Sequence, residues 1–179
     1  MTPAIKLAIV VGIQLAVLLS IFGFKQYTVW TGETVVLRVA PFDPRDPFRG
    51  EYFTVRYDIS TLDPDEVAGD DYVSGDVYVE VREDDDGYWD AVALHDERER
   101  TFDDTQLIKG DVDYSRDWRD DSIIVSYGIE EIFIPEGSGE QLPFGEAHTV
   151  GVAVKVDRFG NAVARHFVVD GEKLDLQRD

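Results

Sequence analysis

The feature that most constrains this chain is an apolar run near its N-terminus. From Leu7 to Phe24 the sequence LAIVVGIQLAVLLSIFGF contains no charged residue, and Lys6 and Lys25 bracket it. Extended by one apolar residue to residues 5–24, the segment is long enough, at about 1.5 Å per residue, to cross a hydrocarbon core of about 30 Å. It predicts a transmembrane helix that contacts the lipid bilayer.

A cleaved signal peptide is the competing interpretation of this run. Its apolar region would normally span about 7 to 15 residues and end at a small-residue cleavage site, whereas this run is longer and leads into FKQYTVW. An anchor is therefore favoured, with Tyr27 and Trp30 as interfacial aromatic residues. One lysine lies on each side, but the free amino group beside Lys6 favours a cytoplasmic tail and an extracytoplasmic soluble domain.

Residues 26–179 are expected to form one soluble domain, separate from the tail and anchor in residues 1–25. The chain has 17 Lys and Arg against 37 Asp and Glu, a formal net charge of −20. Because the first 25 residues contain two lysines and no acidic residue, the remainder carries −22. Such a surface repels nucleic acid and anionic lipid headgroups, so neither is an expected partner.

The kind of charged residue used is also biased. Asp outnumbers Glu by 24 to 13, and Arg outnumbers Lys by 12 to 5. This bias is similar to that of halophilic proteins, which must stay hydrated in high salt, but a surface kept soluble by net repulsion explains it equally well. The chain has no cysteine, which excludes disulfides, thiolate nucleophiles and Cys-ligated metals.

After the anchor the sequence predicts a mainly β domain, a single antiparallel sandwich or barrel-like fold. The residues Asp84 to Gly87, DDDG, predict a hairpin between two alternating strands, and DRFGN predicts a second hairpin near the C-terminus. Short helices are expected only around residues 64–68 and 140–147. The predicted strands are residues 33–41, 52–59, 76–82, 88–94, 122–135, 149–156 and 162–169.

Three segments carry a resemblance to a known family. The first, Gly50 to Tyr57, reads GEYFTVRY and follows DPRDPF; the second is LIKGDVDY, Leu107 to Tyr114; the third is YGIEEIFIPEGSGEQL, Tyr127 to Leu142. Together they resemble the GDYXXLXY protein family, with Glu51 in place of the family's Asp and Val55 in place of its Leu. The resemblance implies a bacterial, typically membrane-anchored protein with no established chemistry, often encoded beside a polytopic membrane protein that is a plausible partner.

The first segment has a structural and a functional interpretation. Pro44 and Pro47 would stiffen a corner and Gly50 would supply a positive φ, while the alternation of the strand places Phe53, Val55 and Tyr57 on an apolar face. The structural interpretation is favoured, but the opposite face could recognise a partner or ligand. The candidate binding residues are Asp43, Arg45, Asp46, Arg49, Gly50, Glu51, Tyr52, Arg56 and Tyr57, and in the third segment Tyr127, Gly128, Glu130, Pro135, Glu136 and Gly137.

Metal sites have weak support in the sequence. His95, His148 and His166 are too far apart in the chain to predict a zinc site. The alternating acids from Asp111 resemble an EF-hand loop, but Arg116 and Ser122 occupy the positions that require Gly and Glu. A different calcium site within residues 84–90 or 117–121 remains open, and no other cofactor is expected.

These observations leave three functional hypotheses. The first is a non-enzymatic accessory protein that docks on a polytopic membrane protein. The second is an extracytoplasmic module that binds a cation or small ligand. An unrecognised hydrolase comes third, because no serine lies in a recognisable nucleophile context. Docking predicts an exposed apolar or aromatic patch, whereas ligand binding predicts a concave site lined by convergent polar groups.

Overall fold

The computed structural model describes residues 2–40, 52–69, 74–98, 104–112, 122–135, 138, 142–143 and 148–176. Within these ranges the chain forms one long helix followed by a mainly β domain, as predicted. The helix, α1, is Pro3–Thr31, and a short 3₁₀ helix is Asp58–Ser60. The strands are β1 Glu33–Arg38, β2 Tyr52–Thr54, β3 Thr61–Leu62, β4 Ala68–Gly69, β5 Gly75–Glu83, β6 Trp89–His95, β7 Thr105–Val112, β8 Ile123–Ile124, β9 Glu131–Phe133, β10 Val150–Val156, β11 Ala162–Val169 and β12 Glu172–Lys173.

Helix α1 is long and apolar enough to span a membrane. Its apolar side chains are exposed, Leu7 by 66% and Leu19 by 69%, because the domain does not cover this part of the helix. The helix continues past the predicted apolar segment to Thr31, and its last turns contact β10 and β11. Thr28 there is 1% exposed, so the C-terminal part of the helix belongs to the packed domain.

Two four-stranded sheets make up most of the domain. One has the order β1-β10-β11-β12 and is antiparallel throughout. The other has the order β4-β6-β5-β7, in which only the β4–β6 pair is parallel. The short strands form two further antiparallel pairs, β2 with β9 and β3 with β8.

The two large sheets share one hydrophobic core. In β5, alternation turns every second residue inward, so that Val77, Val79 and Val81 are fully buried. Strand β10 is buried on both faces along most of its length and contributes Val152 and Val154, which are also fully buried. These residues belong to a single cluster with the buried side chains of β1 and of the short strands. One shared core between facing sheets agrees with the predicted sandwich or barrel-like domain.

Both predicted hairpins are present. In the first, the Asp84 carboxylate accepts hydrogen bonds of 2.9 Å from the amides of Asp86 and Tyr88, and Gly87 adopts a φ of +83°. In the second, Gly160 adopts a φ of +85° between β10 and β11. A left-handed backbone is costly for residues with a Cβ, which explains the glycines at these positions.

The predicted helix at residues 64–68 is wrong. Residues 64–66 form a single turn on the carbonyl of Asp63, after which β4 begins and pairs parallel with β6. The tertiary pairing of Ala68 with Ala93 ends the helical turn. In the other predicted helix, residues 140–147, Leu142 and Pro143 are not helical and the rest lies outside the described residues.

Strand β1 defines two ends of the domain. It begins at Glu33, directly after the helix, and runs about 20 Å, at about 3.3 Å per residue, to Arg38. The helix end comprises the junction of α1 with β1 and the β10–β11 turn. The distal end comprises Arg38 and the β5–β6 turn, whose Asp84 contacts Arg38.

Candidate functional site

The three motif segments lie side by side in the fold. Strand β2 of the first segment pairs with β9 of the third, with Thr54 opposite Glu131. The second segment joins them through Asp111 and Ser126, which exchange backbone hydrogen bonds of 2.8 and 2.9 Å directly before the third segment. Segments separated by up to about eighty residues of sequence therefore form one contiguous piece of structure.

Two buried tyrosines connect the first and third segments. The Tyr57 hydroxyl donates a 2.7 Å hydrogen bond to the carbonyl of Ile129, and the Tyr127 hydroxyl donates a 2.5 Å hydrogen bond to the carbonyl of Ile59. Both side chains are almost fully buried. Each tyrosine thus satisfies a backbone acceptor two residues after the other tyrosine, which is a structural role for both candidate residues.

Glu130 supports this pair of tyrosines. One of its carboxylate oxygens accepts a 2.5 Å hydrogen bond from the amide of Tyr127, and its carbonyl accepts one of 2.8 Å from Val55. Burial raises the pKa of both Tyr57 and Tyr127, and the negative charge of Glu130 raises it further. The hydroxyls therefore stay protonated and serve as hydrogen-bond donors.

Some of the other predicted site residues lie within the described ranges, and the rest lie outside them. Arg56 is exposed next to buried Val55 and Tyr57, which agrees with the predicted alternation. Gly128 has a φ of +71°, and the carbonyl of Pro135 accepts two hydrogen bonds from Ser138. The backbone of Tyr52 is described but its side chain is not. Asp43, Arg45, Asp46, Arg49, Gly50, Glu51, Glu136 and Gly137 lie outside the described residues.

A cavity of about 300 Å³ opens beside the third segment, between β9 and the β11–β12 region. On one side it is lined by Ile132, Phe133 and Ile134, and on the other by Phe167 and the C-terminal residues that follow β12. Phe133 is 61% exposed, although it lies between two buried isoleucines. We call this cavity the β9 groove; its volume is at the lower end of the range of small-molecule sites.

The β9 groove has basic residues in an otherwise acidic domain. Arg165, His166 and Lys173 line it, with Asp175 bonded to the Lys173 ammonium at 2.6 Å. Arg165 is the extra residue of a β-bulge, because Ala153 pairs with His166 and Val154 with Ala164. Burial lowers the pKa of His166, and the charges of Lys173 and Arg165 lower it further. The groove therefore combines apolar walls with two cationic side chains, Arg165 and Lys173, against one acid, Asp175.

A second charged cluster lies at the distal end. The Arg38 guanidinium bonds both oxygens of Asp90 at 2.8 and 3.0 Å, also bonds Asp84, and lies 4.8 Å from the centroid of the Tyr88 ring. Burial raises the pKa of nearby Asp58, an effect that Arg38 opposes. In residues 84–90, one of the two suggested calcium sites, Asp84 and Asp90 are thus already paired with an internal cation.

The three histidines have separate neighbours. His95 contacts Glu80 at 3.2 Å, His148 contacts Asp170 at 2.7 Å, and His166 lines the β9 groove. In the described parts of the chain no group of three or more His, Asp or Glu residues is arranged to hold a metal ion. The other suggested calcium site, residues 117–121, lies outside the described residues.

Glu80 is the centre of a cluster whose residue types resemble those of a catalytic triad. This carboxylate is 8% exposed, accepts a 2.6 Å hydrogen bond from the Thr105 hydroxyl, and contacts His95 through its other oxygen. In a nucleophile–histidine–acid triad the imidazole accepts the proton of the hydroxyl. Here the carboxylate accepts it, so the arrangement satisfies a buried acid and does not activate Thr105.

The β9 groove was not predicted from the sequence. Its signal is present, because Arg165, His166 and Lys173 fall within nine residues of a chain that uses few basic residues. The sequence does not reveal the tertiary contact that brings β9 beside these residues, which lie more than thirty positions later in the chain.

Comparison with known proteins adds one finding. Neither a search of curated proteins nor a search of solved structures found a match. The model of the GDYXXLXY protein family matches residues 14–167, a range that includes the second half of the apolar segment of α1 and all three motif segments. With most of its length covered by that match, the chain belongs to the GDYXXLXY protein family.

Proposed function

We propose that this protein is a membrane-anchored accessory protein whose extracytoplasmic domain docks on an integral membrane partner. Helix α1 supports the anchoring, since its predominantly apolar residues 5–23 are exposed and the helix is long enough to cross a bilayer. The proposed orientation places Lys6 on the cytoplasmic side of the membrane. An anchored domain is confined to the membrane surface, where an integral membrane protein is its most accessible partner.

The observation that carries the docking proposal is the exposure of Phe133 at the β9 groove. Large aromatic side chains are enriched where protein surfaces meet, because they bury a large apolar area at low entropic cost. Phe133 lies on β9, which is held in place by its pairing with β2 and by the two buried tyrosines. The motif segments thus serve as a rigid frame that presents this side chain.

The basic residues of the β9 groove define the partner's chemistry. Arg165 and Lys173 favour a segment that carries an acidic group, and the apolar walls favour an adjacent aliphatic or aromatic side chain. An extracytoplasmic loop of the partner with an acidic and an apolar residue would satisfy both requirements.

Photo-crosslinking in native membranes tests this proposal. A photoreactive amino acid is placed at position 133 of the full-length protein, and at position 124 as a matched control, since Ile124 is a 40% exposed apolar residue that does not line the groove. We expect a crosslink to one integral membrane protein from position 133 alone, and its loss in an Arg165→Glu variant. Equal crosslinking from both positions, or none from 133, would contradict docking through the groove.

The proline-containing segment around Arg45 is tested in the same membranes. An Arg45→Ala/Glu51→Ala double variant, with the photoreactive residue kept at position 133, reports whether the candidate residues of the first segment contribute to docking. A retained crosslink would assign the corner a structural role, while a lost crosslink in a protein of unchanged stability would assign it to the interface.

A second candidate function is the binding of a small anionic ligand in the same groove. Arg165 and Lys173, against the single acid Asp175, favour a carboxylate or phosphate over a cation in this cavity of about 300 Å³. A ligand present at about a hundred times its Kd stabilises the folded state by about 2.7 kcal/mol. Inorganic phosphate or citrate should then raise the melting temperature of the wild type but not of an Arg165→Ala/Lys173→Ala variant, and no rise in either protein would exclude these ligands.

A further inference from the structure

We propose that the β10–β11 turn, residues 157–161, together with Arg98, rests on the headgroups of anionic lipids beside the anchor. We call these residues the basal turn. The inference depends on the membrane anchoring proposed above and adds a second, peripheral contact between the domain and the bilayer. The contact would fix the orientation of the domain relative to the membrane.

The junction with the helix holds the basal turn in place. The buried Thr28 hydroxyl donates a 2.7 Å hydrogen bond to the Asp157 carboxylate, which also accepts bonds from the amides of Phe159 and Asn161. The Lys155 ammonium donates a 3.1 Å bond to the carbonyl of Gly32, where the helix ends. The turn and the last helical turns therefore form one packed unit.

The position of Thr28 places this unit at the level of the headgroups. Thr28 lies four residues beyond Phe24, the end of the apolar run, which corresponds to about 6 Å along the helix. The interfacial layer of a bilayer is about 5 to 7 Å thick on each side of the hydrocarbon core. Trp30, 80% exposed, lies near the same level, as expected for an interfacial aromatic residue.

The side chains of the basal turn have the chemistry of a membrane-surface contact. Phe159 is 42% exposed, and the guanidinium carbons of Arg158 and Arg98 lie 4.7 and 6.0 Å from the centroid of its ring. Arg98 also donates a 2.5 Å hydrogen bond to the carbonyl of Arg158. An aromatic ring flanked by two guanidinium groups can enter the interface while the cations bind phosphate oxygens.

The acidity of the rest of the domain does not prevent this contact. Charges separated by more than about 10 Å are largely screened at moderate ionic strength, so the net charge of the domain acts weakly at the basal turn. The Asp157 carboxylate is directed inward to Thr28 and Asn161. Exposed Glu97 opposes headgroup binding, because it lies next to Arg98 in the chain.

Site-specific fluorescence quenching tests the inference. Because the protein has no cysteine, a single introduced cysteine carries a unique nitrobenzoxadiazole label. The full-length protein is labelled in Phe159→Cys, in Ile13→Cys within the anchor, and in Asp86→Cys at the distal end. Each is placed in phosphatidylcholine vesicles, with and without phosphatidylglycerol, that contain a spin-labelled lipid with its quencher near the headgroup or deep in the acyl chains.

We expect the label at 159 to be quenched by the headgroup quencher, and more strongly when phosphatidylglycerol is present. The label at 13 should be quenched by the acyl-chain quencher. The label at 86 should be quenched by neither lipid. Arg158→Gln should reduce the population of the contact by about five-fold, since each basic residue contributes about that factor at an anionic surface. Arg56 is exposed at the distal end, where its carbonyl accepts a hydrogen bond from the amide of Ala40, two residues beyond Arg38. The same charge change in Arg56→Gln should leave the quenching at 159 unchanged, and Glu97→Gln should increase it.

Two results would overturn the inference, and they differ. If the label at 13 is quenched by lipid while the label at 159 behaves like that at 86, the protein is anchored and the basal turn is free of the membrane. If the label at 13 is not quenched either, the proposed anchoring itself fails. Exposed Phe159 is not the residue that shapes the turn, because Asp157 and Gly160 do so, and the labelled variant is therefore expected to fold.

Discussion

Tyr57 and Tyr127 form a reciprocal pair. Tyr57 lies two residues before Ile59, whose carbonyl accepts the hydroxyl of Tyr127, and Tyr127 lies two residues before Ile129, whose carbonyl accepts the hydroxyl of Tyr57. The same local relationship therefore occurs twice, once at each tyrosine. Ile59 belongs to the 3₁₀ helix and Ile129 to an irregular stretch, so neither carbonyl takes part in a strand ladder and the tyrosines supply their hydrogen bonds instead.

Removing either hydroxyl should destabilise the domain. Tyr57→Phe and Tyr127→Phe each leave a buried carbonyl without its donor, at an expected cost of about 1 to 3 kcal/mol. The measurement is the free energy of unfolding of the purified full-length protein in detergent micelles, from urea titration.

The double variant and a third tyrosine complete this test. Because the two bonds connect the same two segments, the double variant should cost less than the sum of the single changes. Tyr88→Phe is the control, since its hydroxyl makes only long hydrogen bonds, of 3.2 Å to the carbonyl of Thr149 and 3.3 Å from the amide of Gly171, and should cost less than either. Equal losses in all three single variants would argue against a special role for the pair.

Gly110→Ala should also destabilise the domain, by about 1 to 3 kcal/mol. A methyl group at this position of the second motif segment would collide with the side chain of Val125 and would lie 3.2 Å from the carbonyl of Ser126. Gly12→Ala in the exposed part of α1 meets nothing within 4 Å and serves as the control. The melting temperatures of both variants test this prediction. An unchanged melting temperature for Gly110→Ala would show that Val125 can move aside.

The sequence was sufficient to predict the long apolar helix, the two hairpins and the burial of Val55 and Tyr57 after β2. Each of these depends on local signals: apolar length, turn residues such as Gly87 and Gly160, and two-residue alternation. The helix expected at residues 64–68 failed because a parallel pairing with β6 overrode the local preference.

The groove and the tyrosine pair could not be predicted, because both depend on contacts between distant segments. Nothing near Tyr57 in the chain indicates that its hydroxyl reaches Ile129, and nothing near Phe133 indicates a basic strand beside it. The role of Gly50 is a prediction still to be tested: if it has a positive φ, Gly50→Ala should cost about 1 to 2 kcal/mol.

The distal charge cluster should respond to salt. Arg38→Gln removes the guanidinium from Asp84 and Asp90 and leaves these acids near one another, at an expected cost of about 1 kcal/mol. Added sodium chloride screens the repulsion, so the difference in melting temperature from the wild type should shrink as salt rises. Lys109→Gln, which breaks the more exposed pair with Asp76, should have a smaller effect, and a loss for Arg38→Gln that is independent of salt would point to packing against Tyr88 instead.

The junction between helix and domain should weaken in acid. Burial acts to raise the pKa of Asp157, but hydrogen bonds from Thr28, Asn161 and Phe159 lower it overall. Since the pKa is lower in the folded state than in the unfolded chain, where it is about 3.9, this carboxylate contributes its full stability above that value. The contribution is lost as the pH falls through the lowered folded value.

Asp157→Asn isolates this contribution from those of the other acids. At neutral pH the variant should be less stable than the wild type by about 1 to 3 kcal/mol, because a neutral amide is a weaker acceptor for the buried Thr28 hydroxyl and the turn amides. Melting temperatures of both proteins are compared from about pH 6 to about pH 3, the range in which Asp157 begins to take up a proton. The gap between them should narrow as the pH falls, whereas a constant gap would mean that the ionised form of Asp157 is not what holds the helix to the domain.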